Sequence, residues 1–524
     1  MENTIDIIIT LDQFRESKDL TPYFASAMRI SSKQIKGYKI TKRSIDARKR
    51  DIKINLRAEI YLDNTPEEKS PKTSFPSLTK NKSAVIIGFG PAGIFAAIKL
   101  LEKGIKPIIF ERGKDVRARR RDLAAIVKQQ TVNPESNYCF GEGGAGTYSD
   151  GKLYTRSTKR GDVEEILNLF VEFGATPDIL VDAHPHIGTN KLPQIIVAMR
   201  ERIIEAGGEV HFDSKMTDII SDKGALKMIE INHSKMINCD HLILATGHSA
   251  RDIYTLLDQR KITVEAKSFA MGVRVEHPQE LIDRIQYHGQ SSDDVLPPAA
   301  YRIVKQVNGR GVYSFCMCPG GIIAPCATEP GEIVTNGWSP SRRNNPYANS
   351  GIVVPVEEKD YHQFGFSGPL GGMKYQAYVE KLAFKEAGNN LETKIGQIAP
   401  AQRLKDFVDG KDSFSLPDCS YKAGVTPVRL DQILPSPMST RLRKGFELFG
   451  NSMRNYLSND AIIVGVESRT SSPVRIPRDR ETLQHIAVNG IYPCGEGAGY
   501  AGGIVSAAID GIKCATAIAE KIGA

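Results

Sequence analysis

A strand, a glycine-rich turn, a helix and a second strand follow one another from Ser83, and this order restricts the fold more than any other feature. The apolar run AVIIG leads into Gly88-Phe-Gly90-Pro-Ala-Gly93, the stretch IFAAIKLLEKG follows, and the run PIIF ends at Glu111. Such glycines allow a tight turn, close approach of a phosphate and close packing of helix on strand. Glu111 lies 18 positions after Gly93 (111 − 93), near the spacing of the acidic residue that binds an adenosine ribose. The segment predicts a dinucleotide-binding unit, with Pro91, Ala92 and Arg112 also beside the ligand.

The same glycine spacing occurs twice more, without the surrounding pattern. Gly141 to Gly146 follows no apolar strand and continues into TYSDGKLYT, which is not helical in character. Gly497 to Gly502 does follow a strand and precede a helix, but only 22 residues remain after it (524 − 502), too few for a βαβ unit of about 30 residues. Neither predicts a second nucleotide-binding unit.

Two later segments distinguish FAD from NAD. Residues 241–247, HLILATG, read as an apolar strand closed by Ala245-Thr246-Gly247, and residues 489–504, NGIYPCGEGAGYAGGI, end a strand at Gly495-Glu496. Together with the first fingerprint, these segments resemble the glutathione-reductase-like flavoproteins, which have two dinucleotide-binding domains. The resemblance covers about 83–265 and 480–524 and implies FAD as the cofactor.

The resemblance also implies roles for particular residues. Glu496, where Asp is usual, would hydrogen-bond the ribityl chain, and the strand at 209–219 would supply a main-chain contact to adenine at Met216. The last helix would point its N-terminus, at Gly502, Gly503 and Ile504, at the pyrimidine edge of the flavin. Free N–H groups and the helix dipole there would stabilise the negative charge of reduced flavin.

More narrowly, four segments resemble a bacterial family of poorly characterised FAD-dependent dehydrogenases: FGEGGAGTYSDGKLYTR, SFCMCPGGIIAP, ESRTSSPVRIPRD and CGEGAGYAGGIVSAA. That family has an N-terminal extension like residues 1–78. The resemblance implies hydride transfer between flavin N5 and a small organic substrate whose identity it does not give. With one such fingerprint, NAD(P)H, if it is the electron donor, would bind transiently outside a Rossmann unit.

Candidate chemistry lies in two further segments. We expect the glycines of 141–153, Gly144 among them, to bring backbone close to the cofactor, with Ser149, Asp150 and Lys152 offering polar contacts. Cys316 and Cys318 are the candidate catalytic residues. With Cys326 they leave three interpretations open: buried structural thiols, a redox or substrate-facing thiol, and a metal site that would need a distant fourth ligand. We predict no metal.

The predicted fold class is α/β. A Rossmann-like FAD-binding domain, with a parallel sheet and a β-meander, spans 79–265 and 480–524. An α+β substrate domain is inserted at 266–479, and a small α+β domain with its linker occupies 1–78, the linker being the polar stretch 64–82.

The net charge and the pattern of apolar residues indicate which partners and which cellular location to expect. The net charge of +8 is spread over 69 basic and 61 acidic residues, too diffuse to indicate nucleic acid. The start lacks the pattern of a signal peptide, no stretch reads as a transmembrane helix, and eight cysteines fit a reducing cytoplasm. The basic run TKRSIDARKR keeps a second hypothesis open: FAD held structurally or as a redox sensor, with the N-terminal domain binding a protein or RNA partner.

Overall fold

The computed structural model describes residues 2–63, 65, 73–155, 161–393 and 396–523, so Asn64 and 66–72 of the predicted linker lie outside it. Strands and helices are numbered in chain order. The N-terminal unit contains β1 (Glu2–Thr10), α1 (Leu11–Glu16), α2 (Thr21–Met28), β2 (Gly37–Asp46) and β3 (Lys53–Tyr61). Its antiparallel sheet has the order β1-β3-β2, and alternate residues of β3 are buried, as expected of a sheet with one covered face.

The next unit begins with the predicted strand–helix–strand. Its elements are β4 (Ser83–Ile87), α3 (Pro91–Glu102), β5 (Lys106–Phe110), α4 (Val116–Lys128), α5 (Val163–Glu172), α6 (Leu192–Glu205), β6 (Glu209–His211), β7 (Met216–Asp222), β8 (Ala225–Ile231), β9 (Lys235–Asn238), β10 (Leu242–Leu244) and α7 (Arg251–Gln259). The expected strand at 209–219 is in fact two, because β6 belongs to the parallel sheet and β7 to the meander β7-β8-β9.

A long segment follows before the chain returns to this unit. It contains β11 (Glu265–Ala266), β12 (Phe269–Pro278), α8 (Gln279–Gln286), β13 (Val304–Val307), β14 (Arg310–Cys318), β15 (Ile322–Pro325), β16 (Thr335–Trp338), β17 (Tyr347–Val356), α9 (Glu358–His362), α10 (Gly371–Glu386), β18 (Ala399–Arg403), α11 (Leu404–Asp409), β19 (Val425–Pro427), α12 (Leu430–Ile433), α13 (Ser436–Ser452), β20 (Ile462–Glu467) and β21 (Val474–Arg475). Although the sequence looks irregular here, it forms a mixed seven-stranded sheet, β13-β14-β17-β12-β20-β18-β19. The N-terminal unit shares a hydrophobic core with this sheet.

The last elements, β22 (Ile491–Pro493) and α14 (Ile504–Lys521), complete the nucleotide-type unit. All five strands of its sheet are parallel, in the order β22-β10-β4-β5-β6. Alternate residues of β4 face two different cores: Ala84 and Ile86 pack with α3, α6 and α14, while Val85 packs with the meander and α7. The sheet is therefore covered on both faces, which explains the continuous apolar sequence of its strands.

Helices α3 and α14 pack closely in front of this sheet. A Cβ placed on Gly511 of α14 would lie 2.1 Å from the carbonyl oxygen of Ala92, so only glycine permits this approach. The contact brings the start of α3 beside the segment that joins β22 to α14. Within the described residues, the helices are too short or too polar for any of them to cross a membrane.

Candidate functional site

A cavity of about 370 Å³ lies at the carboxyl ends of β4, β10 and β22. In open parallel sheets this edge is where ligands bind. All but one of the residues predicted from the sequence to contact the cofactor line this cavity. They are Gly88, Gly90, Pro91, Ala92, Glu111, Arg112, Gly144, Met216, Ala245, Thr246, Gly247, Gly495, Glu496, Gly502, Gly503 and Ile504. The exception is Gly93, which lies behind the wall. Of the two candidate catalytic cysteines, Cys316 lines the cavity and Cys318 is buried behind it.

The three fingerprint glycines do different physical work. Gly88 has a φ of +101°, and a Cβ there would lie 2.4 Å from the carbonyl oxygen of Ala245. A Cβ on Gly93 would lie 2.0 Å from the carbonyl oxygen of Gly88, so this glycine is required for helix and strand to pack. Gly90 caps α3 with extended backbone angles, and the nearest atom to a Cβ there is the Cα of Gly144 at 3.8 Å. Gly90 is thus required by neither backbone strain nor crowding from the protein.

Glu111 joins three loops around the cavity. Its carboxylate accepts hydrogen bonds from the backbone N–H groups of Phe89 at 2.8 Å and of Gly113 and Gly141 at 2.9 Å. The side chain is 4% exposed, so these three donors depend on it. Glu111 therefore shapes the cavity wall in addition to any contact that it makes with a ribose.

The loop that contains Gly144 is held by Arg119, a residue that sequence reasoning missed. The Arg119 guanidinium is completely buried and donates hydrogen bonds to four backbone carbonyls, those of Asn137, Tyr138, Glu142 and Gly144. The run 117–121 reads as a solvated basic face. However, Arg119 lies in phase with the buried residues Val116, Leu123 and Ile126 of α4, and this spacing was the available signal.

The far end of the cavity is formed by the loop before α14. A Cβ built on Gly502 or Gly503 would meet nothing within 4 Å, so space remains open in front of the helix N-terminus. The hydroxyl of Thr246 is buried in the cavity wall and has no hydrogen-bond partner within the described part of the chain. An unsatisfied hydroxyl, an open helix N-terminus and a glycine cradle at the start of α3 are features that fit FAD.

Glu496 lies between this end of the cavity and the cysteine-bearing strand. Burial raises the pKa of the Glu496 carboxyl to about 7, although the charge of Lys267 opposes the shift. A carboxyl with this pKa can donate or accept a hydrogen bond near neutral pH. The group can therefore pair with a hydroxyl and can also hold a proton beside the cavity.

Cys316 enters the cavity because β14 is irregular at this point. Phe315 pairs with Gly351 and Cys318 with Asn349, so β14 carries one extra residue against β17, a β-bulge. Cys316 has a φ of +44°, in the left-handed region that side chains other than glycine rarely adopt. Strained backbone of this kind is concentrated at functional sites.

Charged groups from several elements surround the Cys316 thiol. A hydrogen bond from Cys318, together with the nearby charges of Lys152 and Arg274, lowers the pKa of Cys316 well below its usual range, against the opposing effects of burial and of Asp150. Lys152 donates to the carbonyl of Met317 and remains 37% exposed towards the cavity. This arrangement favours the thiolate.

The two cations near Cys316 are themselves held in place. Arg274 is fully buried, pairs with Glu467 at 2.9 Å and donates to the carbonyl of Cys316 at 2.7 Å. Asp150 lies 3.7 Å from the Lys152 ammonium and pairs with Arg343 at 2.8 Å. Ion pairs and hydrogen bonds of this kind hold the charged groups around Cys316 in position.

The other thiols do not share this environment. Burial raises the pKa of Cys326 well above its usual range, and the hydrogen bond to Cys316, together with burial, raises the pKa of Cys318 well above its own. Among the described residues, Cys316, Cys318 and Cys326 do not form a group with metal-ligand geometry. The one such group there consists of Cys494, Asp510 and Cys514.

Several other polar side chains hydrogen-bond to, or pack against, the protein itself. Arg469 borders the cavity, but its guanidinium donates to Glu332, Glu380 and Thr328. His277 is buried against the carbonyl of Tyr456, and His186 lies 3.1 Å from the carbonyl of Ser341.

His184 packs its ring against Tyr154, and Arg475 lies over the ring of Tyr500. By contrast His248, which sequence reasoning missed, lines the cavity directly after Ala245-Thr246-Gly247, and burial lowers its pKa to about 4. Its position at the carboxyl end of a parallel strand was the available signal.

Two family models match parts of the chain. Residues 268–470 match the family model described as "FAD-dependent protein, C-terminal domain-like", and residues 1–61 match "Domain of unknown function (DUF8436)". The first match supports FAD as the cofactor. The narrower likeness to glutathione-reductase-like flavoproteins stays a prediction.

Solved structures give weaker likenesses. The flavin-dependent brominase Bmp2 is 13% identical with a TM-score of 0.37, over 84% of this chain and 79% of that one. CtdE in complex with FAD is 11% identical with a TM-score of 0.30, over 83% of this chain and 82% of that one. Scores at this level carry no argument about fold or function.

A much nearer relative is a protein of Clostridium beijerinckii (strain ATCC 51743 / NCIMB 8052), described as an uncharacterized protein. It is 42% identical over 514 residues, which are 94% of each chain. At this identity over nearly the whole length, the protein belongs to one family with the Clostridium beijerinckii protein.

Proposed function

We propose that the protein is an FAD-dependent oxidoreductase that moves a hydride between flavin N5 and a small organic substrate. One observation carries the proposal: a single cavity joins the fingerprint loop, the α14 N-terminus and a cysteine held among cations. Bound FAD supplies two-electron chemistry in such a site, and the protein supplies position and electrostatics.

The residues at the two ends of the cavity have different roles in this proposal. Near Gly90 the backbone N–H groups at the start of α3 receive the pyrophosphate, and Glu111 holds the surrounding loops in place. Near Gly503 the N-terminus of α14 favours negative charge on the flavin ring. Glu496 accepts a hydrogen bond from the ribityl chain between these ends.

Cys316 is the residue proposed to face the substrate. Loss of hydride from an organic substrate is accompanied by loss of a proton, and a thiolate at Cys316 Sγ can accept it. Lys152 and Arg274 stabilise the thiolate before it takes the proton, and Cys318 donates towards it from behind. Gly151 and Lys152 also line the cavity and limit the space for the substrate.

The first test is the flavin itself. Purified protein should release FAD on heating, and anaerobic addition of NADH or NADPH should bleach the flavin if either is the donor. Protein that is colourless and releases no flavin would refute the proposal. Flavin that no donor or substrate reduces, together with tight binding of a protein or RNA to residues 1–61 of the full chain, would favour the alternative in which FAD has a structural role.

The second test concerns Cys316. Alkylation by iodoacetamide, followed by mass spectrometry from pH 5 to pH 9, should label Cys316 at lower pH than Cys239, a buried thiol whose pKa is raised to about 12. Without another electron acceptor, a thiol count that rises by two as reduced flavin becomes oxidised would show that a disulfide accepts the flavin electrons, and mass spectrometry would show whether it joins Cys316 and Cys318. An unchanged count with early Cys316 labelling supports the role as proton acceptor.

A further inference from the structure

Behind the flavin end of the cavity, Arg478 of the segment ESRTSSPVRIPRD forms a buried ion pair with Asp510 of α14. The two side chains are 8% and 9% exposed, and the Arg478 Nη2 lies 2.6 Å from Asp510 Oδ1. Burial opposes the charge of Arg478, but the hydrogen bonds and charge of Asp510 raise its pKa above the usual value. Arg478 therefore remains a cation, and among the described residues Asp510 is the carboxylate that pairs with it.

Each partner also contacts a different part of the cofactor end. Asp510, on the second turn of α14, accepts the backbone N–H of Gly495 at 2.7 Å. Arg478 donates to the carbonyl of Pro493, the last residue of β22, at 2.6 Å. Its guanidinium lies 3.9 Å from the ring centroid of Tyr500, and its backbone N–H donates to the Tyr500 hydroxyl. The pair thus connects the end of β22, the loop 495–503 and helix α14.

We propose that Arg478 and Asp510 are positioning residues that fix Glu496 and the N-terminus of α14 against the flavin. This role rests on the proposed function, because it assumes that FAD occupies the cavity. Gly495, whose N–H Asp510 holds, has a φ of +75° and directly precedes Glu496. Gly511, next to Asp510, is the point at which α14 meets the start of α3. A shift at the pair would therefore move both ends of the flavin site.

A metal ion is the competing interpretation of this cluster. Ligand atoms of Cys494, Asp510 and Cys514 lie within 4.8 Å of one another. However, Arg478 Nη1 already lies 3.0 Å from Asp510 Oδ2 and 3.5 Å from Cys514 Sγ. The guanidinium thus supplies the positive charge that a metal would supply, and its hydrogen bonds use the same ligand atoms.

The test compares Asp510→Asn with Asp360→Asn in the full-length protein. Asp360 pairs with Arg310 at 2.5 Å, at 19% and 10% exposure, in the seven-stranded sheet region away from the cavity lining. The readouts are the FAD dissociation constant of the apoprotein, the flavin midpoint potential and the melting temperature. Loss of either ion pair should lower the melting temperature. The FAD dissociation constant and the flavin midpoint potential therefore distinguish the two variants.

Asp510→Asn should weaken FAD binding about 10-fold or more. It should weaken the binding of reduced FAD more than that of oxidised FAD, because the N-terminus of α14 stabilises the negative charge of the reduced flavin ring. A tenfold difference between the two corresponds to a midpoint potential about 30 mV more negative. Asp360→Asn should leave the affinity and the potential unchanged.

Wild-type affinity and potential in Asp510→Asn would overturn the inference, as would equal changes in the control. If Asp510→Asn does not fold, Arg478→Lys and Tyr500→Phe provide the same readouts, and normal values in both would overturn it. Wild-type protein without FAD would instead refute the proposed function, so the two failures are distinguishable.

Discussion

Replacing two glycines of the fingerprint, one at a time, separates cofactor binding from folding. Gly90 and Gly93 are three residues apart, yet the protein surrounds them differently. A methyl group on Gly90 would meet only the Gly144 Cα at 3.8 Å, whereas one on Gly93 would lie 2.0 Å from the Gly88 carbonyl oxygen. We expect Gly90→Ala to impair FAD binding alone and Gly93→Ala to impair the fold.

The magnitudes follow from these contacts. For Gly90→Ala, the poorer helix cap and the smaller entropy of the unfolded chain oppose each other, so apoprotein stability should change by less than about 1 kcal/mol. The methyl group takes space needed by the pyrophosphate, and loss of one hydrogen bond to a charged group costs about 1.5–3 kcal/mol. FAD affinity should therefore fall by about one to two decades. Gly93→Ala should cost about 3 kcal/mol of stability, the upper end for overpacking.

The assay is FAD titration of apoprotein followed by flavin fluorescence, together with thermal unfolding of the same apoprotein. Gly93→Ala should lower the melting temperature by roughly 6–12 °C, since 1 kcal/mol corresponds to about 2–4 °C in a unit of 150–250 residues. Gly90→Ala should melt within a few degrees of wild type. If Gly90→Ala binds FAD like wild type, the pyrophosphate does not approach here and the reasoning fails. Equal destabilisation by both variants would refute it as well.

Four further substitutions test other parts of the structure. Cys316→Ser and Cys318→Ser should retain FAD but slow turnover, measured as flavin reoxidation in stopped flow; normal kinetics in both would leave these thiols as packing residues. Glu111→Gln should lower both the apoprotein stability, by about 1–3 kcal/mol, and the FAD affinity, because an amide cannot accept hydrogen bonds from all three backbone donors. Unfolding and FAD titration that both match wild type would contradict this prediction. Burial raises the pKa of Glu276 to about 7 from 4.5, so its stabilising effect is complete below about pH 4.5 and is lost as the pH rises through about 7. Glu276→Gln should remove about 3 kcal/mol of pH dependence over that range, measured as the difference in unfolding free energy from wild type; parallel curves would show that the carboxyl is not shifted.

Local patterns predicted the parts of the site that depend on short stretches of chain. The strand, the glycine turn and the helix of 83–102 are encoded by apolar runs and by glycines at fixed spacing, and the structure has β4 and α3 at these positions. Ala245-Thr246-Gly247 and Gly495-Glu496 follow β10 and β22 for the same reason. Where strands are buried on both faces and interrupted by Gly and Pro, as in 266–455, periodicity failed and the seven-stranded sheet went unrecognised.

The sequence by itself determined the strand, the glycine turn and the helix of 83–102 and the short segments whose glycines, apart from Gly93, line the cavity, because each of these segments depends on residues a few positions apart. Only the tertiary structure decided which side chains acquire unusual chemistry. Lys152, Arg274 and Cys316 come from a loop and two non-adjacent strands of the seven-stranded sheet, and Arg478 meets Asp510 across 32 positions (510 − 478). Electrostatic effects depend on the distance between groups in space and on the removal of water, and neither can be read from the spacing of residues along the chain.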